Sequence, residues 1–312
     1  MRLRVTNFVT LITLAAVVAA SAALLAGQAP AGRGGAAPAA APAAPAAPAG
    51  RGAGAPAQAA AQGRGAAPAG PAIPRTADGK PDFSGIWQVL DNSLDGSIEP
   101  HSASWGVHAG QGAIIDTPDG MIPYTPAGLA KRNENFKNRA KDPVSQCWKP
   151  GVPRIMFQPF PFQITQSPKM IQMTFELVHN RRDIYINDSK HLEGIEFFNG
   201  DSRAKWEGDT LVVDVTNFMD DPTRETWLDG SGNYHSPALH VVERYTFNGP
   251  DMITYQARLE DPKAFTRPFT IEFLLYRHKG KNFRVMEYEC QIFKEQLVKD
   301  GKAGTLRIVE GK

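Results

Sequence analysis

The chain has 312 residues and a formal net charge of +2, from 34 Lys and Arg against 32 Asp and Glu. The charge is unevenly placed: residues 1–77 hold six arginines and no lysine or acid, leaving 28 bases against 32 acids, a net −4, for the rest. A mildly acidic body excludes a nucleic-acid partner held by bulk positive charge, and about 235 residues suit one large β domain better than two small ones.

Residues 1–29 read as a signal peptide. Arg2 and Arg4 precede an uncharged apolar run from Phe8 to Leu25, with small residues at the expected cleavage region between Ala22 and Ala29. A retained single span is the alternative, since an anchor needs an apolar run of about 20 residues. Leu24 to Gln28 resembles the start of a lipoprotein box, but Gln28 stands where an acylated Cys is required. Export to the periplasm or medium follows from this reading, with membrane contact only through an uncleaved signal. Residues 30–74 are almost entirely Ala, Pro, Gly, Gln and Arg, too poor in apolar surface to offset chain entropy, and so form a disordered tether. Arg33, Arg51 and Arg64 are too widely spaced to make it a polyanion-binding arm.

A single domain is expected over 75–295, followed by a tail at 296–312. Thr125-Pro126 supplies an N-cap and a first-position proline for a helix over Ala127 to Ala140, stopped by Asp142-Pro143 and placed as a plug or lid on the β body. Period-two alternation then predicts strands at Phe162–Gln166, Ile171–Leu177, Asp183–Asn187, Leu211–Phe218, Val241–Phe247, Ile253–Glu260, Phe269–Leu275 and Val285–Cys290. Eight strands joined mostly by short turns predict a mainly β fold, an antiparallel sheet curled into a barrel or sandwich. Cys147 and Cys290, in an exported domain, are most simply a disulfide; a thiol nucleophile or a two-cysteine metal site lacks a supporting His nearby.

Several motifs together resemble one family. They are the stretch from Pro74 to Trp87 (PRTADGKPDFSGIW), Cys147 with Gly151-Val152-Pro153-Arg154, Phe160 to Ile164, Trp206 to Asp214 (WEGDTLVVD), and Asp261 to Pro268. In this order they are similar to a large group of exported bacterial β-rich proteins without established activity, over essentially all of residues 74–295. The resemblance implies the exported β domain and no chemistry. Members usually read Asp-Gly-Arg and then His-Pro before a Gly-rich entry to the Trp206 motif, where this chain has Asn187 to His191 and Phe197 to Gly200. Gly85-Ile86-Trp87 also resembles the first strand of lipocalin-like barrels, in which an Arg from a late strand closes over the Trp; this likeness is architectural.

The residues with chemical potential concentrate between Trp206 and Arg244. Alternation puts Leu211, Val213 and Val215 on one face, and Val212, Asp214, Thr216 and Phe218 on the other. Asp214 is then either a ligand-lining carboxylate or a solvated acid beside a cross-strand base. His240, Val242, Arg244 and Thr246 share a face of the next strand, with His240 and Arg244 about 13 Å apart. Glu243 points the other way, so it makes no direct acid–base pair with His240. His235 and His240 fall on opposite faces of a regular strand, which argues against paired metal ligands. Asp229 to Asn233 begins like a calcium loop, but Tyr234 and His240 replace its required Gly and Glu, leaving a hairpin turn. Arg182 shares a face with Ile184 and Ile186, which requires either a buried partner, Asp214 or Glu243, or an anionic ligand.

These residues support a binding module that holds a small, partly apolar ligand in a barrel or cleft, with Arg182, Asp214, Thr216, His240 and Arg244 as polar contacts and Trp206 and Trp227 as walls. The alternative is a cofactor-free lyase, hydratase or isomerase, with His235 or His240 carrying the proton and Asp214 or Asp229 orienting it. A third is an envelope interaction protein docked through its tether and exposed tryptophans. No metal or cofactor is expected.

Overall fold

The computed structural model describes residues 72–299, apart from 105–106, 189 and 222–224. The expected signal segment, nearly all of the expected tether and the end of the expected tail lie outside the described residues. Nine strands close into a barrel in chain order: β1 (Gly85–Val89), β2 (Phe162–Gln166), β3 (Met170–Phe175), β4 (Arg181–Ile186), β5 (Asp201–Glu207), β6 (Thr210–Thr216), β7 (His240–Phe247), β8 (Met252–Glu260) and β9 (Phe269–Arg277). The last strand pairs with the first, through Trp87 opposite Arg277 and Val89 opposite Leu275.

Three differences from the sequence reading have physical reasons. The count is nine because β1 and β5 join the sheet while Val285–Cys290 does not. β5 shows no apolar alternation: Asp201, Arg203, Lys205 and Glu207 point outward, opposite small Ser202 and Ala204 and then Trp206. The 285–290 segment meets a closed barrel without a free edge, so it makes only a bridge between Leu177 and Tyr288 before helix α2 (Cys290–Lys299) begins. That helix runs across the expected domain end at 295. The sheet is also not wholly antiparallel, because β4 and β5 run parallel, with Ile184 opposite Ser202 and Ile186 opposite Ala204. Side-chain alternation sets faces but carries no strand direction. Parallel neighbours need a crossover, and residues 187–200 supply it as a strap over the outer face.

Helix α1 (Pro126–Lys137) starts as expected, with the Thr125 hydroxyl accepting from the Gly128 amide at 3.0 Å. It ends three residues short of Ala140, in a 3-10 turn at Arg139–Lys141. Its buried positions are Gly128 and Asn135, whereas Leu129 and Phe136 are exposed. Gly128 lies where a side chain would strike the Ala264 carbonyl, so the helix rests on the β8–β9 connection.

The barrel interior is packed. The row Val213, Glu243, Ala257 and Ile271 runs across four strands, every member fully buried. Trp87, Phe162, Tyr245, Tyr255 and Phe269 fill the space around it, each large apolar side chain contributing about 1.5–3 kcal/mol by burial. Arg277 on β9 lies 4.3 Å over the Trp87 ring, whose Nε1–H donates to the Phe83 carbonyl. Nine strands and a parallel pair differ from an eight-stranded up-and-down barrel. Within the interior, Arg182 donates to Glu243 (2.9 Å) and Ser202 (3.1 Å), while Tyr245 and Tyr255 donate to the same Glu243 oxygen at 3.0 and 2.8 Å. Cys147 and Cys290 are bonded, tying the start of α2 to the segment that follows α1.

Candidate functional site

The register of four strands assembles a face on the outside of the barrel. Tyr185, Arg203, Asp214 and Val242 lie opposite one another from β4 to β7, and Lys205, Val212 and Arg244 form the next row. A groove of about 610 Å³ opens here, its apolar lining Val212 and Val242, its bases Arg203, Lys205 and Arg244, and its acids Asp188, Glu207 and Asp214. The charges are matched in pairs: Arg244 meets Glu207 at 3.0 Å, and Arg203 meets Asp188 at 2.8 Å and Asp201 at 3.1 Å.

Asp214 and His240 are diagonal neighbours on this face, since Asp214 lies opposite Val242. Their side chains meet, Nε2 to Oδ2, at 3.1 Å. The other Asp214 oxygen is 3.0 Å from Nε2 of His191, which the strap delivers, and Nδ1 of His191 is 3.1 Å from Asp201. His191 thus bridges the two carboxylates through its two ring nitrogens. The network therefore runs Asp188, Arg203, Asp201, His191, Asp214, His240, each acid lying between basic side chains or at the end of the run. The bond to His240 holds the Asp214 carboxyl below the usual carboxylate range, with burial opposing and His191 adding to the effect. The same bond raises His240 above the ordinary histidine range. Burial pushes Asp201 up, but the Leu192 amide, Arg203 and His191 more than offset it. Nδ1 of His240 has no protein partner among the described residues, and the side chain is 37% exposed.

The other predicted residues are dispersed. Thr216 is on the same outer face but donates to Asn217 at 2.9 Å. Arg182 faces the interior, paired with Glu243. Trp206 stacks on Phe83, centroids 5.9 Å apart, on the interior side. Trp227 is buried near α1. His235 and Asp229 are buried and make no bond to each other: Asp229 accepts from the Ile98 amide and Asn233, while His235 meets the Ser236 carbonyl at 3.0 Å and Thr226 Oγ1 at 2.8 Å. The orienting group of His235 is thus a backbone carbonyl. Burial lowers His235 and raises Asp229 to about 6.

His191, Asp201, Arg203 and Asp188 were not among the sequence candidates. The first and last sit in the strap, and their partners are set by its path across β5, which local sequence does not encode. Among the described residues no group of three His, Cys, Asp or Glu is arranged to hold a metal ion, and no helix is long and apolar enough to cross a membrane. Comparison with protein-family models and with curated proteins gave no match.

Proposed function

We propose that this chain is an exported binding module, of the β-rich bacterial group its motifs resemble, that takes a small, partly apolar ligand in the outer-face groove. One observation carries the reading: the groove joins an apolar lining, Val212 and Val242, to acids and bases held in matched pairs around it. A ligand with an apolar body and a polar head buries the first and exchanges with the second. This moves the ligand from the barrel interior, where Arg182 and Glu243 satisfy each other, to the outside, where Asp214 and Arg244 line the groove. The intramolecular disulfide supports export.

The test is native mass spectrometry of protein purified from its own host, followed by calorimetric titration of any co-purifying small molecule. Binding is expected to fall at least about tenfold in Val242→Arg, which obstructs the groove from a solvent-facing position. Unchanged affinity in that variant refutes the assignment.

A second reading rests on His240. With Nε2 bound to Asp214 and Nδ1 without a protein partner, this pair has the geometry of an oriented proton carrier. It predicts that the bound molecule is converted by wild type and retained unconverted by His240→Ala. Equal product formation by both proteins sinks it.

A further inference from the structure

A second cavity, sharing no lining residue with the groove, lies between α1 with its trailing 3-10 turn and the segment at Glu225 and Trp227. Its volume is about 280 Å³, at the small end of ligand sites. Two indoles, Trp148 and Trp227, contribute to its walls. Cys147, beside Trp148, is held by the disulfide.

The polar lining narrows the chemistry. Asn135 donates its amide nitrogen to the Gly232 carbonyl at 3.2 Å, and Asn138 donates to the Glu134 carbonyl at 3.0 Å. A backbone carbonyl only accepts, so both amides are fixed with the NH₂ group inward. Neither side-chain oxygen has a protein donor among the described residues, and neither is sealed from solvent. The Trp227 Nε1–H, in contrast, is buried without an acceptor, where such a group normally has one. The charges cancel: Lys131 sits 3.8 Å from Glu134 and 3.3 Å from Glu225, and Lys141 balances the second acid. A net charge on the ligand gains nothing here.

We propose that this cavity binds a neutral, hydroxyl-rich ring, a single monosaccharide unit. Its O–H groups supply the donors that Asn135 and Asn138 lack, its oxygens accept from the lysines, and a C–H face lies against the Trp148 indole, whose other face stacks on Phe198 with centroids 5.9 Å apart. An anion or cation upsets the charge balance, and a purely apolar ligand leaves the amide oxygens unmatched.

The experiment titrates the full chain with D-glucose and with N-acetylglucosamine, using sorbitol as an open-chain control. Binding is followed by tryptophan fluorescence and by the NMR signal of the Trp227 indole N–H. Saturable binding with Kd on the order of 1 mM, a shift of that signal, and at least about tenfold weakening in Trp148→Ala or in Asn138→Ala are expected. Asn138 is solvent-accessible, so its variant keeps the fold, which circular dichroism checks. The proposal is overturned if neither sugar saturates the protein, if both variants bind as wild type does, or if sorbitol binds equally well.

Discussion

The same strands carry two charged networks, one on each face of the barrel. Inside, the Arg182 and Glu243 side chains are 1% and 0% exposed, and serine and tyrosine hydroxyls take up their remaining bonds. Outside, His240 and Asp214 are 37% and 47% exposed, within reach of solvent and ligand. Burial alone would lower the Arg182 guanidinium, yet Glu243 and the tyrosines leave it raised, so the guanidinium stays charged. The outer pair titrates. A polar group on an interior row is a structural commitment, and the same chemistry one residue along the strand is available for function.

Removing one inner partner should break this contrast most severely. Glu243→Ala leaves a guanidinium buried without its counter-charge and should cost about 3–5 kcal/mol, read from urea or guanidinium unfolding. Replacing both partners, Arg182→Met with Glu243→Leu, should recover most of that loss, because two apolar side chains need no desolvated charge. A double variant as unstable as the single one would show that the network specifies the barrel rather than merely satisfying itself.

The outer network should respond far less. Asp214→Asn is expected to cost at most about 1 kcal/mol, as partly exposed pairs do. Its signature is in the pH profile. Asp214 is depressed, so its contribution is present above the ordinary Asp range and lost as pH falls through the lowered value. His240 is raised, so its contribution is present below the ordinary His range and lost as pH rises through the elevated value. The difference between wild type and Asp214→Asn should therefore be largest between these limits and shrink on both sides; a flat difference would remove the pair from the account. The smallest effect should come from His191→Ala: faster amide exchange confined to the 187–200 strap, with global stability changed by less than about 1 kcal/mol.

Legibility in the sequence follows the same division. Strands with an apolar inner face were readable, β2 to its end residues, because period-two alternation reports burial directly. β5 was hidden, since its inner positions are Ser202, Ala204 and Trp206 rather than an aliphatic series. β1 was hidden because apolar Ile86 stands on the outward side between Gly85 and Trp87, which breaks the alternation. Alternation grouped Asp214 with Thr216 on one strand and His240 with Arg244 on the next, and the register puts Asp214 and Arg244 on the same outer face. His191 was unreadable because its partners depend on a crossover. The cysteines were legible for a different reason: a chain with two cysteines has one possible internal pairing, and that pair is bonded.

The parallel pair has a consequence that is arithmetic rather than chemical. Around a closed ring, strands that all oppose their neighbours must be even in number, and this ring has nine. One like-directed pair is therefore compulsory, and the chain must travel the length of the barrel without pairing at that place. Here the obligation falls between β4 and β5, where the returning segment carries His191 onto Asp214. Deleting a strand, or adding one, would remove the need for that return, and with it the third member of the outer network.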